Sequence, residues 1–429
     1  VTGLRTWRRD AQLPARAGQP ELCPPHEAQL LELVLAHALR PGCAAPQAAR
    51  WVYARWKPGV SLCAAYELEF LDGRSELVVL KRYRTGKAAS LALRGARAEP
   101  CDPDTQEQGC PLLPSVLLPD QSLHLWHEHS DRKLPGLQRL SDMRRTKRLL
   151  QSRGVFSPWR LRSHRCELTR LRYRPERRAV QRLDAVLVDA TGARRRARLA
   201  VRALVPSTAT RVAGHRRALG QLELLPQLRV CEARTGLLFE DWIDDLTPVP
   251  RARLNAVAAE SLMRLHRRPC QPGVEQTARS SNAALFDWHA GLASRVQSAW
   301  CALPSATAPA RWLHGDFHAD QLALRPGGQP VLLDLDGLRP GDPAEDLASW
   351  IADELCERDS VLCEGSSVLD AYRDVGGVVP PAATLDALVR RALVDRAAAC
   401  LRRLEHGAED RAERLLGLAA ARVVGAQGA

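Results

Sequence analysis

A chain of 429 residues, 45% of them apolar and 26% charged, can build two or three packed units, and it is excluded from the disordered, collagenous and disulfide-miniprotein classes. Its longest apolar run, Leu30–Leu39, is broken by His37 and falls well short of a bilayer span. The formal charge of +13 is regional: Arg139–Arg217 holds 23 Lys/Arg against 5 Asp/Glu, and the remainder is net acidic.

Arg5, Arg8 and Arg9 at the start are not followed by an apolar core or a small-residue cleavage pattern, so a cytoplasmic protein without a secretion signal or membrane partner is expected. The 12 cysteines are scattered from Cys23 to Cys400 with none at two-residue spacing, which predicts reduced, buried thiols rather than a metal knuckle. His124, His127 and His129 around Glu128 read as packed or solvated side chains, not as a metal site. A basic block attracts nucleic acid or anionic ligands. No zinc-finger spacing or ribonucleoprotein motif accompanies this one, so a solvated arginine surface or a phosphate-bearing small molecule explains it better than nucleic acid.

In chain order, Ala28–Ala38 has helical periodicity, and Val52–Arg84 then alternates as strands around a hairpin turn at Asp72-Gly73. A Pro/Asp-rich loop spans Pro100–Pro119, and "DRKLPGLQRLSDMRRTKRLL" leads into one helix. The strand pattern recurs: "RWKPGVSLCAAYELEFLDG" at Arg55–Gly73 lines up with "RYRPERRAVQRLDAVLVDATG" at Arg172–Gly192, each followed by a further strand. Two related antiparallel sheets are expected. A helix over Thr210–Leu222, a strand "LPQLRVCEA" and an apolar strand "GLLFEDWI" at Gly236–Ile243 come next. Helical stripes then take over: Leu254, Val257, Ala258, Leu262 and Leu265 behind Pro250; Leu285, Trp288, Leu292 and Val296; and the tail from Thr384. The layout predicted is α+β and bilobal: an N-terminal unit over 1–150, a β-rich lobe over 155–244 and a helical lobe over 245–429.

Residues 311–350, "RWLHGDFHADQLALRPGGQPVLLDLDGLRPGDPAEDLASW", require a chemical explanation. "WLHGD" ends an apolar approach at an exposed acid, Asp316, and Gln321 follows five residues later. The run "VLLDLD" delivers Asp334 and Asp336 at a strand end, on one face by alternation. Carboxylates gathered in this way need cations. Hard oxygen donors in this number suit Mg²⁺ shared with substrate phosphates, with one carboxylate left to orient a hydroxyl nucleophile.

The segment resembles the aminoglycoside phosphotransferase and choline kinase group of small-molecule kinases, relatives of the protein kinases. The resemblance rests on His314-Gly315-Asp316, Gln321, Asp334, Gly341-Asp342-Pro343-Ala344 and Asp346-Leu347-Ala348 in order and spacing. It extends more loosely to "LMRLHRR" (262–268). It implies a kinase-like fold and an ATP- and Mg²⁺-dependent transfer to a small hydroxylated substrate such as a sugar, aminoglycoside or amino alcohol. Asp316 would be the catalytic base, and Gln321 and Asp334 the metal ligands, with Asp336 as a further metal or substrate group. His314 would brace the metal loop, while Asp342 and Asp346 would pin that loop and the next helix. "LLFEDWIDD" (237–245) resembles the hinge, placing Glu240 and Trp242 beside the nucleotide. Arg202 in "LAVRAL" stands where the family carries a phosphate-binding Lys, Gln321 stands where Asn is usual, and no glycine-rich phosphate loop is visible. The next helix offers only Glu223, late, as a partner for Arg202. Lys81 in "VVLKRY" reads as an edge-strand surface lysine. These departures keep open a second reading, a catalytically weak kinase-like binding or regulatory protein.

Overall fold

The structure, a computed structural model, describes residues 25–57, 59–84, 88, 110–270, 292, 296, 310–357, 367–404 and 407–425. Val1–Arg9, Cys23, the first half of the Pro100–Pro119 loop, and Leu285 and Trp288 lie outside the described residues.

A first helix, α1 (Glu27–Leu33), precedes a five-stranded antiparallel sheet: β1 (Pro46–Lys57), β2 (Ser61–Phe70), β3 (Ser75–Tyr83), β4 (Ser115–Leu118) and β5 (Leu123–His127), in the order β1-β2-β3-β5-β4. Asp72 closes the β2–β3 hairpin by accepting the Arg74 N–H at 3.0 Å, with Gly73 at φ +79. Strand alternation gives this sheet two buried faces. Tyr66, Leu68, Val78 and Leu80 pack beneath Leu30 and Val34 of α1. Cys63, Ala65, Leu77, Val79 and Trp126 join the core of the second sheet.

Between the sheets, where the sequence reads as one helix, there are two: α2 (Pro135–Ser141) and α3 (Met143–Ser152). Asp142 leaves the helical conformation and accepts the Arg144 and Arg145 N–H groups, so a cap residue splits the segment.

The second sheet contains β6 (Arg160–Leu161), β7 (Glu167–Arg174), β8 (Arg178–Val188), β9 (Arg194–Leu204), β10 (Leu228–Glu232) and β11 (Leu237–Asp241). Its order is β10-β11-β9-β8, with β6 and β7 both on β8. Helix α4 (Pro206–Leu219) links β9 to β10, with Pro in its first turn. The meanders β1-β2-β3 and β7-β8-β9 match strand for strand. Cys63 pairs with Lys81 and Val180 with Arg202, each five residues beyond the turn proline, Pro58 or Pro175. Lys81 is not at an edge: β3 lies between β2 and β5, and the side chain is buried.

The rest is mainly helical: α5 (Leu254–His266), α6 (Ala344–Glu357), α7 (Val368–Asp374), α8 (Ala382–Arg403) and α9 (Ala408–Gly425). Short strands support two loops. β12 (Thr247–Pro248), β14 (Leu322–Leu324) and β15 (Pro330–Leu332) form one ribbon, and β13 (Arg311–Leu313) pairs with β16 (Arg339–Gly341). One core unites them, with Trp312, Phe317 and Trp350 fully buried and the Phe317 and Trp350 rings stacked at 5.1 Å. The architecture is α+β, antiparallel sheets first and helices after. Among the described residues no helix is long and apolar enough to cross a membrane.

The three histidines do not form one cluster. His124 bonds Ser115 at 2.7 Å, His127 bonds Glu76 at 2.9 Å, and His129 bonds the Leu137 carbonyl at 3.3 Å.

Candidate active site

Asp346, fully buried near the start of α6, anchors the loop that follows β13. Its carboxylate accepts the backbone N–H of His314 at 2.7 Å and of Gly315 at 2.9 Å, and His266 approaches at 3.3 Å. Burial pushes its pKa up, but the His266 hydrogen bond and the His266 and His314 charges outweigh this and hold it below the ordinary value. His266 is fixed in turn by the Tyr372 hydroxyl at 2.8 Å. His314, also fully buried, places Nε2 2.8 Å from the Leu333 carbonyl, so that nitrogen carries the proton.

Two glycines bring this loop against the next one. Gly315 has φ +81, and a Cβ there would lie 2.2 Å from the Gly337 carbonyl oxygen; a Cβ at Gly337 would lie 2.7 Å from the His314 oxygen. The chain therefore emerges at Asp316, which is exposed and makes no hydrogen bond among the described residues. Gln321 follows a short turn. Its backbone oxygen accepts the Leu333 N–H at 2.9 Å, and its amide nitrogen faces His318 Nε2 at 2.9 Å, leaving the amide oxygen for another partner.

Asp334 and Asp336 are not presented by strand alternation, because β15 ends at Leu332. Asp334 adopts the left-handed conformation (φ 54, ψ 55), and Leu335–Gly337 is a tight turn. Both carboxylates nevertheless meet the same two guanidiniums. Arg178 Nη1 bonds Asp334 and also Asp336 at 2.7 Å; Arg202 Nη2 bonds Asp336 and lies 3.6 Å from Asp334. Burial opposes ionisation of Asp334, but Arg178 and then Arg202 hold its pKa well below the carboxylate range. Burial likewise works against the Arg202 charge, and Asp336, Glu240 and Asp334 more than restore it.

The sequence placed the partner of Arg202 in the following helix, and the structure corrects this. Glu223 lies exposed beyond the end of α4. The partner is Glu240 on β11, which reaches Arg202 at 3.5 Å and Arg216 of α4 at 3.2 Å, all three buried. α4 is tied to the Asp336 loop instead by Arg211, 3.1 Å from the Asp336 carbonyl, and by His215, 2.6 Å from the Leu338 carbonyl. Trp242 stands apart from this network, with the Arg182 guanidinium 5.6 Å over its ring. Asp342 caps α6 by accepting the Ala344 N–H at 3.0 Å.

Sequence reasoning missed Arg178, which reads only as one more arginine of a basic block, and it missed the tip of the β7–β8 hairpin. Glu176 at that tip has φ 60 and is held by Lys81 at 2.5 Å, Arg55 at 2.9 Å and Lys133 at 3.4 Å. The Pro175-Glu176-Arg177 turn is thereby fixed by side chains of the first sheet and of the segment after β5, where a glycine-rich loop would be fixed by nothing. Asp334, Asp336 and the free amide oxygen of Gln321 form a hard-oxygen donor set that fits Mg²⁺, and the guanidiniums now on the carboxylates show that the site takes positive charge.

A sequence profile described as the phosphotransferase enzyme family matches residues 137–372. The chain belongs to that family, and its α+β arrangement is the kinase-like fold of the group. Among solved structures it is similar to choline kinase LicA from Streptococcus pneumoniae, at 12% identity and a TM-score of 0.41 over 64% of this chain and 99% of that one. Aminoglycoside phosphotransferase APH(4)-Ia gives 15% and 0.41 over 65% and 97%. The amicoumacin kinase hAmiN in complex with AMP-PNP, Ca²⁺ and Ami gives 12% and 0.43 over 64% and 93%. No curated protein sequence matches. The family match begins at Leu137, so the first sheet lies outside it.

Proposed function

We propose that the protein is an ATP-dependent phosphotransferase that moves the γ-phosphoryl group to a hydroxyl of a small molecule. The observation that carries this reading is Asp316: an exposed carboxylate at the tip of a loop whose backbone is pinned at His314 and Gly315 by a buried acid and pressed against the Asp334–Gly337 turn. Structure is spent on holding a group that contributes nothing to the fold itself, as expected of a positioned base.

In this reading Asp316 orients the acceptor hydroxyl and takes its proton as the new O–P bond forms and the bond between the γ-phosphorus and the bridging oxygen breaks. Asp334, Asp336 and Gln321 would hold Mg²⁺, which when bound neutralises phosphate charge. Arg202 and Arg178, already beside those carboxylates, supply fixed positive charge where the phosphates are handled. Asp346, His266 and Tyr372 keep the Asp316 loop in place. Glu240 fixes the Arg202 guanidinium, and Trp242 follows on the hinge segment beside the nucleotide.

One observation favours a second reading, a kinase-like binding protein: Arg178 and Arg202 serve as built-in counter-ions for the carboxylates that the metal would use. One experiment separates the two. Purified protein with ATP and Mg²⁺, offered a panel of sugars, aminoglycosides and amino alcohols, is assayed for ADP release, with thermal shift by ATP measured in parallel. Acceptor-dependent ADP release that disappears in Asp316→Ala, with the thermal shift retained, supports the enzyme. A thermal shift with no turnover, unchanged by the substitution, supports the binding protein.

A further inference from the structure

Five arginines converge where the β7–β8 hairpin meets the C-terminal end of α8: Arg172, Arg174 and Arg177 from the hairpin, Arg402 and Arg403 from the helix. Arg172, Arg177 and Arg403 are exposed and Arg174 and Arg402 half-buried. Arg172, Arg174, Arg177 and Arg402 make no hydrogen bond or ion pair among the described residues. The carboxylates that could serve them are committed elsewhere. Glu176 is held by Arg55, Lys81 and Lys133, and Asp334 and Asp336 by Arg178 and Arg202.

The crowding has a measurable sign. Burial, then Arg178, Arg172 and Arg403, push Arg174 down to about 9. Burial and arginine neighbours also lower Arg172 and Arg402; Arg177 is lowered by burial, against Tyr53, with Arg55 and Arg178 adding to the push. A guanidinium does not give up its proton inside a protein, so the repulsion persists until an anion relieves it. The cluster borders the reaction centre, since Arg178 is the next residue after Arg177 and itself grips Asp334 and Asp336.

We propose that this junction is a binding site for a phosphate-bearing anion, and that the acceptor is a phosphorylated or comparably anionic hydroxyl compound rather than an aminoglycoside-like or choline-like cation. The inference rests on the phosphotransferase reading for its account of the acceptor, while the anion site stands on the arginines alone. The triphosphate of the nucleotide offers the same chemistry, so the test must distinguish the two sources.

Inorganic pyrophosphate is titrated by calorimetry into the full-length protein, alone and with saturating AMP-PNP and Mg²⁺, for the wild type and for Arg174→Gln/Arg402→Gln. The expected result is that pyrophosphate binds in both conditions and that the double substitution weakens it about tenfold or more, while AMP-PNP affinity changes less than about threefold. Thermal denaturation without anions should show the variant to be at least as stable as the wild type, because like charges have been removed; this guards against misfolding as the cause of lost binding.

Pyrophosphate binding that AMP-PNP abolishes, with both ligands weakened alike by the substitutions, assigns the arginines to the nucleotide and overturns the acceptor proposal. Equal pyrophosphate affinity in variant and wild type, or none in either, overturns the site. If pyrophosphate binds as expected but AMP-PNP does not bind at all, the anion site is upheld and the phosphotransferase reading fails instead. If AMP-PNP binds and the Asp316-dependent ADP release is present, yet phosphorylated acceptors such as glucose 6-phosphate are turned over no better than glucose, the acceptor proposal alone fails.

Discussion

Lys81 Nζ lies 2.5 Å from Glu176 Oε1, joining the middle of the first sheet to the tip of the β7–β8 hairpin that leads into Arg178. Arg55 reaches the other oxygen, and all three side chains are 10% exposed or less. Removing one side of a buried pair leaves the other charge uncompensated, at a cost of about 3–5 kcal/mol. Glu176→Gln, which strands two buried cations, is therefore expected to destabilise by an amount in that range. Lys81→Met should cost less, because Arg55 and Lys133 remain on the carboxylate. The double variant should be less destabilised than the two changes summed, as measured by urea unfolding. Additivity within error would remove the first sheet from control of the hairpin.

Gly315 and Gly327 share a positive φ but differ in surroundings. A Cβ at Gly315 meets backbone oxygen at 2.2 Å, whereas one at Gly327 meets nothing within 4 Å. Gly327→Ala is expected to cost about 1 kcal/mol of conformational strain and to leave turnover intact. Gly315→Ala must separate the Asp316 loop from the Asp334 turn, and a shift of this size at a reacting group costs about 10²-fold in kcat. Comparing kcat for the two variants, with nucleotide affinity as control, checks the argument. Equal rates would mean that the contact between the two loops does not set the reaction geometry.

The order of elements was legible in the sequence because alternation and helical stripes report directly on which face is buried. The two meanders, the helix after β9 and the helical C-terminal half all follow from that signal. The spacing of His314, Asp316, Gln321 and Asp334 was legible for a different reason: polar residues at fixed intervals in an apolar stretch have few packing explanations. Pairings across elements were not legible. The partner of Arg202 was sought in the next helix, where local order suggested it, and lies instead on β11, the strand paired beside β9. The same limit hid Lys81, whose role depends on a hairpin tip 95 residues further on. Alternation also misjudged Asp334 and Asp336, since a single left-handed residue redirects the chain without any change of composition.

Glu240 neutralises two buried arginines at once, so the three groups are unequal in what their loss should do. Glu240→Gln leaves Arg202 and Arg216 together in a buried site, with an expected loss of about 3 kcal/mol or more. Burial already lowers the Arg216 pKa, and its attraction to Glu240 is opposed by Arg202. Removing that second cation in Glu240→Gln/Arg216→Met should therefore recover part of the loss, although the Arg216 hydrogen bond to the Pro226 carbonyl goes with it. Thermal denaturation of the single and double variants decides the matter. A double variant less stable than Glu240→Gln would show that Arg216 matters for packing rather than for charge.

Asp346 should write its contribution into the pH dependence of stability. Its pKa is depressed in the folded protein relative to the ordinary carboxylate value of about 3.9. The folded state therefore favours the ionised form. The resulting stabilisation is fully present above that ordinary value and is lost as pH falls through the folded pKa. Asp334, depressed by Arg178 and Arg202 against the opposing effect of burial, adds to the same acid window. Urea unfolding from pH 7 down to pH 3 should show wild-type stability falling steeply below about pH 4. Asp346→Asn keeps the shape of the side chain but cannot ionise, so it should be less stable at pH 7 and should show a shallower fall in acid. A single hydrogen bond to a charged acceptor contributes about 1.5–3 kcal/mol, and Asp346 accepts two from backbone N–H groups, so the neutral-pH difference should be at least of that size. Parallel pH profiles for the two proteins, offset or not, would mean that the Asp346 charge is not what holds the His314-Gly315-Asp316 loop.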